Sequence, residues 1–266
     1  MSLLAWIVLF SLLGGILSVL AAGAFLLFPR PFRTRLLPHL VSFAIGALLG
    51  AAFLDLLPEA LEGAAPGQIH KITATVLLGL LGFFLLEKIV LWRHSHSDPS
   101  IATADHPQAA IATGHSHAHA AGTLILIGDG IHNFVDGVLI AAAFLTDVRL
   151  GIVTSLAVAA HEIPQEVGDF AILLHSGFGR RKALLYNVLA SLTTVVGGVL
   201  AYYSLAGVQQ ILPYVLAIAA SSFIYIAVAD LIPDLHQRPQ ARATLQQLSL
   251  IALGIGLIYG VQLLLH

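Results

Sequence analysis

The chain has no cysteine. Disulfides, thiolate zinc sites and dithiol redox chemistry are therefore excluded. Charge is also scarce: Asp, Glu, Lys and Arg make up 10% of the 266 residues, against about 25% in soluble domains. The formal net charge is −2 and no basic domain is present, so no nucleic-acid partner is expected. No Gly-rich phosphate loop occurs, which leaves nothing to couple ATP to work. No basic run precedes the first apolar stretch, so that stretch reads as a retained helix rather than a leader. What the chain does contain is apolar sequence, 58% hydrophobic with a mean hydropathy of +0.92. It comes in repeated runs of the ~20 residues a helix needs to cross a bilayer. The class that follows is an all-α polytopic membrane protein, with the lipid bilayer as its main partner.

Eight spanning helices are predicted, over residues 3–28, 37–57, 72–92, 121–144, 150–175, 183–205, 211–235 and 245–265. Together they make residues 1–266 one transmembrane domain, with a flexible His-rich loop over 93–120 between the third and fourth spans. Ten of the twelve basic residues fall in or beside the odd-numbered loops; only Lys71 and Arg149 lie on the other side. The positive-inside rule then puts those loops in the cytoplasm and both termini outside. The short loops suggest a bacterial inner membrane.

The second span ends in Asp55-Leu56-Leu57-Pro58-Glu59 and the seventh in Asp230-Leu231-Ile232-Pro233-Asp234. These spans run in opposite directions, so the echo points to an inverted 3+2+3 repeat, an architecture in which transporters place substrate near the midplane. The acids of the echo have two readings, ion passage or a helix-end role.

Two polar islands interrupt the apolar pattern. In the fourth span Asp129, His132, Asn133 and Asp136 occupy an arc of about 100°. In the fifth, His161, Glu162, Gln165, Glu166 and Asp169 share an arc of roughly 140°. Such residues are costly in a bilayer and face a bundle interior or a cavity. Pro164 cannot donate to the carbonyl of Ala160, and a kink is expected there. Imidazole, carboxylate and amide groups on two adjacent helices suit a divalent-metal cage, and Asp136 with Glu162 would balance one M²⁺ formally. Imidazole suits zinc, while the oxygen donors also suit manganese and iron(II). In the loop, His94, His96, His115, His117 and His119 suit weak, exchangeable metal capture, or belong to a solvated linker.

His-Asn-Phe-Val-Asp-Gly at 132–137 and His-Glu-Ile-Pro-Gln-Glu-Val-Gly-Asp at 161–169 resemble the paired motifs of the ZIP family of divalent-metal transporters. The eight-span pattern, the His-rich loop and Leu57-Pro58-Glu59 are similar to that family as well. The resemblance implies zinc as the transported substrate, with iron, manganese or cadmium as alternatives, moving toward the cytoplasm. It implies a binuclear centre: His132, Asp136, His161 and Gln165 around one metal, and Asn133, Asp136, Glu162 and Gln165 around the second. Asn187 is a further candidate for the second site, Asp129 a nearby helper and Glu166 a supporting group. It also implies an elevator-like motion of spans one, four, five and six against two, three, seven and eight, and is compatible with a homodimer.

The branch with His-Glu-x-Pro usually carries His where this chain has Gln165. A neutral amide there predicts weaker zinc affinity or relaxed selectivity. The same stretch invites a rival reading as an intramembrane His-Glu-x-x-His metalloprotease, which needs a second imidazole at i+4 on an unbroken helix.

Overall fold

A computed structural model describes residues 1–64, 67–96, 109–236 and 241–265. Every regular element among them is helical: α1 (Leu3–Phe25), α2 (Arg30–Gly50), α3 (Leu57–Glu62), α4 (Ile69–His96), α5 (Ala109–Thr146), α6 (Val148–His175), α7 (Arg180–Leu205), α8 (Leu212–Tyr225), α9 (Ile232–His236) and α10 (Ala241–Leu265). The second span is α2 and α3 joined by a π-helical turn, Ala51–Leu56. The seventh joins α8 and α9 through a second π turn, Ile226–Leu231.

Seven of these helical stretches are long and apolar enough to cross a membrane. The eighth is α6, whose acids Glu162, Glu166 and Asp169 interrupt its apolarity. With 28 residues it is about 42 Å long at 1.5 Å per residue, more than a bilayer core requires. It runs through Pro164 as one continuous α-helix.

Helix ends overrun the apolar runs for local reasons. α2 begins at Arg30, seven residues before its apolar stretch, because Pro29 and Pro31 pre-set the first turn. α6 starts where the Asp147 carboxylate accepts the backbone N–H groups of Arg149 and Leu150. The His-rich segment divides: 93–96 end α4, 109–120 open α5, and 97–108 lie outside the described residues, as do the side chains of all five candidate loop histidines and the 237–240 connection.

The two π turns coincide with the two halves of the sequence echo. π-Helix is rare, so its recurrence immediately before Leu57-Pro58 and Ile232-Pro233 gives the repeat a backbone counterpart. Pro58 has no N–H to return to the carbonyl of Leu54; the Gln262 side chain on α10 donates to it instead, at 3.3 Å.

Helix packing follows the same symmetry. α1, α5, α6 and α7 form one group, dominated by α5 on α7 and α1 on α6. α2, α4, α8 and α10 form the other, dominated by α10 on α2 and α4 on α8. The groups meet chiefly where α2 touches α6 and α8 touches α5. Exchanging spans one with six, two with seven, three with eight and four with five turns each of these contacts into another of them, as an inverted repeat requires. Close crossings need glycine in both groups: a Cβ on Gly137 of α5 would overlap the Thr194 carbonyl of α7, and one on Gly46 of α2 would overlap that of Ile251 on α10.

Candidate metal site

The α5–α6 contact brings the two polar islands face to face. One ligand atom from each of His132, Asp136, His161 and Glu162 lies within 4.8 Å of every other. The two imidazole Nε2 atoms are 3.3 Å apart. His161 Nε2 is 3.3 Å from Asp136 Oδ2 and 3.7 Å from Glu162 Oε1. His132 Nε2 lies 3.7 and 3.5 Å from the same two oxygens. A tetrahedral ion with bonds of ~2.0–2.1 Å has ligand–ligand edges of about 3.3–3.4 Å. The five edges that involve an imidazole, 3.3–3.7 Å, are thus within a few tenths of an ångström of those of a zinc coordination shell.

The electrostatics favour a cation at its centre. Neither oxygen of Asp136 or Glu162 accepts a hydrogen bond, and both residues are buried. His161 Nδ1 faces the Ala157 carbonyl at 3.2 Å, which selects the tautomer protonated there and leaves Nε2 as a lone pair. That lone pair and the carboxylate oxygens point at one another. Two uncompensated carboxylates in a bundle core cost several kcal/mol each; a divalent cation bound between them removes that cost.

The surroundings hold the ligands in place. His161 and Ala157 share one face of α6, and the Phe223 ring of α8 stands 6.2 Å from the His161 ring, so the opposing packing group walls the site with an apolar surface. The Asn133 amide nitrogen donates to Asp129 Oδ1 at 2.9 Å, and its oxygen accepts from Thr194 of α7 at 2.8 Å. Thr193 donates to the Gly130 carbonyl at 2.6 Å. The two threonines were not among the sequence candidates. Their signal was available in retrospect: Thr193-Thr194 followed by Gly197-Gly198, a polar and small stripe in an otherwise apolar span.

The structure therefore joins His132, Asp136 and His161 with Glu162, which the family resemblance had put around the second metal. Asn133 is turned toward α7. Gln165 is half-buried one turn beyond His161. Asp129 and Glu166 are buried, each with carboxylate oxygen lacking a hydrogen-bond partner, and Asn187 of α7 is buried with both amide atoms unpartnered. Asp169 is half-buried on the same helix.

A family model described as ZIP zinc transporter matches residues 2–262. Curated relatives include zinc transporter ZIP13 of Mus musculus, 36% identical over 247 residues that cover 82% of this chain and 68% of that protein. The ZIP13 of Gallus gallus is 32% identical over 305 residues, 94% of this chain and 82% of its own. Zinc transporter ZIP5 of Homo sapiens is 34% identical over 296 residues, 90% of this chain but only 54% of its own length.

Proposed function

The chain belongs to the ZIP zinc transporter family, and from that premise we propose that it carries divalent metal ions, zinc foremost, across a membrane through the His132–Asp136–His161–Glu162 cluster. The observation that carries this reading is the convergence of the four ligand atoms within 4.8 Å. Two imidazoles favour zinc over harder ions, and two carboxylates cancel its charge, so the ion can leave water without a net charge entering the bundle. Iron and manganese are further substrates, because Gln165 adds only a neutral, harder oxygen where this branch of the family usually has His; cadmium follows from the family resemblance alone.

Movement is toward the cytoplasm and proceeds by displacement of the α1, α5, α6, α7 group against the α2, α4, α8, α10 group. The division of the packing into these groups supports that scheme. The site lies where they meet, with its ligands on one group and Phe223 on the other. Acid weakens binding, since protons compete with metal for imidazole and carboxylate. A second ion beside the first would draw on Asn133, Asp136, Glu162 and Gln165; the Asn133 oxygen keeps one lone pair beyond its bond from Thr194. The loop histidines would receive the ion on the cytoplasmic side. A homodimer in a bacterial inner membrane with both termini outside completes the proposal; the basic-residue bias supports the orientation.

The metalloprotease reading is set aside. Members of this family are transporters, and position i+4 from His161 is Gln165, so the second imidazole of the cluster comes from another helix. Uptake of radiolabelled zinc into proteoliposomes is the test. Folded His132→Ala and His161→Ala proteins should bind and transport no zinc; normal uptake in both would overturn the site.

A further inference from the structure

A cavity of about 1000 Å³ opens at the end of the bundle where α1 and α6 finish and α2 and α7 begin; none of its lining residues belongs to the metal cluster, and Val167, the nearest of them along α6, follows Glu162 by more than one turn. Its size is at the upper end of ligand pockets, about 300–1,000 Å³. The walls are apolar, with Phe25, Leu37, Phe170 and Leu174 among them. Four guanidinium-bearing residues also line it: Arg30 and Arg33 on α2, Arg180 and Arg181 on α7. Among the described residues no acidic side chain lines the cavity, and none of the four arginines has an ion-pair partner. Arg33 Nε is buried without any hydrogen-bond acceptor.

We propose that this cavity is a binding site for an anionic phospholipid, with an acyl chain in the apolar cleft and the phosphate on the arginines. An apolar cleft alone would hold any lipid tail. The arginines supply the selection: a guanidinium offers a planar fork that matches phosphate oxygens, and the orphaned Arg33 N–H gains the acceptor it lacks. Basic pockets between membrane helices are where anionic head groups bind. The position also gives the lipid leverage. Arg33 and Leu37 belong to one packing group, and Val167 and Phe170 of α6 to the other, so the bound lipid bridges the two. This assignment does not depend on the metal reading, because lipid retention is measured without zinc.

The test is native mass spectrometry of the full chain released from nanodiscs of mixed phosphatidylcholine and phosphatidylglycerol. The expected result is preferential retention of phosphatidylglycerol, lowered roughly 30-fold in the R33Q/R181Q double variant, at about fivefold per basic side chain. R33K/R181K, which keeps the charge but loses the planar fork, should recover only part of it, and K71Q, at the other end of the bundle, should leave it unchanged. Equal retention of both lipids, or phosphatidylglycerol retention indifferent to R33Q/R181Q, overturns the proposal. So does displacement of the lipid by excess inorganic phosphate, which would make the arginines a free-anion site.

Discussion

The two kinds of irregularity in this bundle are kept in different helices. The fourth and fifth spans carry the imidazoles, carboxylates and amides, yet α5 and α6 keep α geometry throughout, even across Pro164. The second and seventh spans carry one acid each within their turns, Asp55 and Asp230, and there the backbone leaves α geometry for a π turn. Ligands on regular helices hold their separations, as a metal site requires to within about 0.5 Å. π Turns in the flanking spans lie in the other packing group. The comparison teaches that the chemistry and the backbone departures are divided between the two groups, and each group can be perturbed separately.

The sharpest way to break that division is at the glycine crossings, where the largest effects are expected. Gly137→Ala puts a methyl group into the Thr194 backbone, and Gly46→Ala puts one into that of Ile251. Neither neighbour is a flexible side-chain tip, so helices must separate, at a cost of about 1–3 kcal/mol or more. Thermal unfolding in detergent should show both losses. Zinc affinity of the surviving folded protein should fall only for Gly137→Ala, whose crossing positions α5, the helix of His132 and Asp136. Equal affinity loss in the two variants would dissolve the distinction between the groups.

Next in size is Gln165→His. A third imidazole one turn beyond His161 should tighten zinc binding about tenfold, ~1.4 kcal/mol, and shift the zinc-to-manganese ratio toward zinc. Competition uptake with both ions measures this; an unchanged affinity and ratio would remove Gln165 from the site.

Smaller still is the effect expected at the π turns. Pro58→Ala and Pro233→Ala restore an N–H and ease a return to α geometry. Each should slow zinc uptake a few-fold while leaving equilibrium zinc affinity within about twofold, since no ligand moves. A matching fall in affinity would show that the turns shape the site itself.

How much of this was legible beforehand depends on which physical constraint was acting. The spans were, because a bilayer demands some 20 apolar residues whatever the tertiary fold; even α6, diluted by its acids, was found from its length. Helix ends were not. α2 continues to Arg30 through polar sequence because two prolines pre-set its first turn, and an apolar-run criterion does not respond to that. At the site, the residue types and the shared helix faces of His132, Asp136, His161 and Glu162 were readable from spacing. The partition among them was not, because it depends on how far each helix is rotated, and that is decided by the α5–α7 glycine crossing and by Thr194 claiming the Asn133 oxygen. The inverted repeat was visible as a five-residue echo, and the paired π turns and exchangeable contacts gave it physical content.

The smallest expected effect concerns the start of α6, the helix of His161 and Glu162, where a charged side chain caps the first turn. Partial burial alone would raise the Asp147 carboxyl, but the backbone N–H and guanidinium of Arg149 and the N–H of Leu150 outweigh it and hold the group below its ordinary value of 3.8. A depressed folded value means that the cap stabilises the protein above the ordinary value, and that this contribution is lost as pH falls through the lowered one. The carboxylate is 41% exposed, so solvent screens it, and Asp147→Ala should cost on the order of 0.5 kcal/mol near neutral pH. The cost should vanish in acid, where the wild-type cap is itself protonated. Because α6 is then still held by its packing on α1, α5 and α2, zinc affinity should stay within about twofold of wild type, a change of under ~0.5 kcal/mol. A large affinity loss in Asp147→Ala would mean that the cap, and not the helix contacts, sets the height of His161 and Glu162 in the bundle.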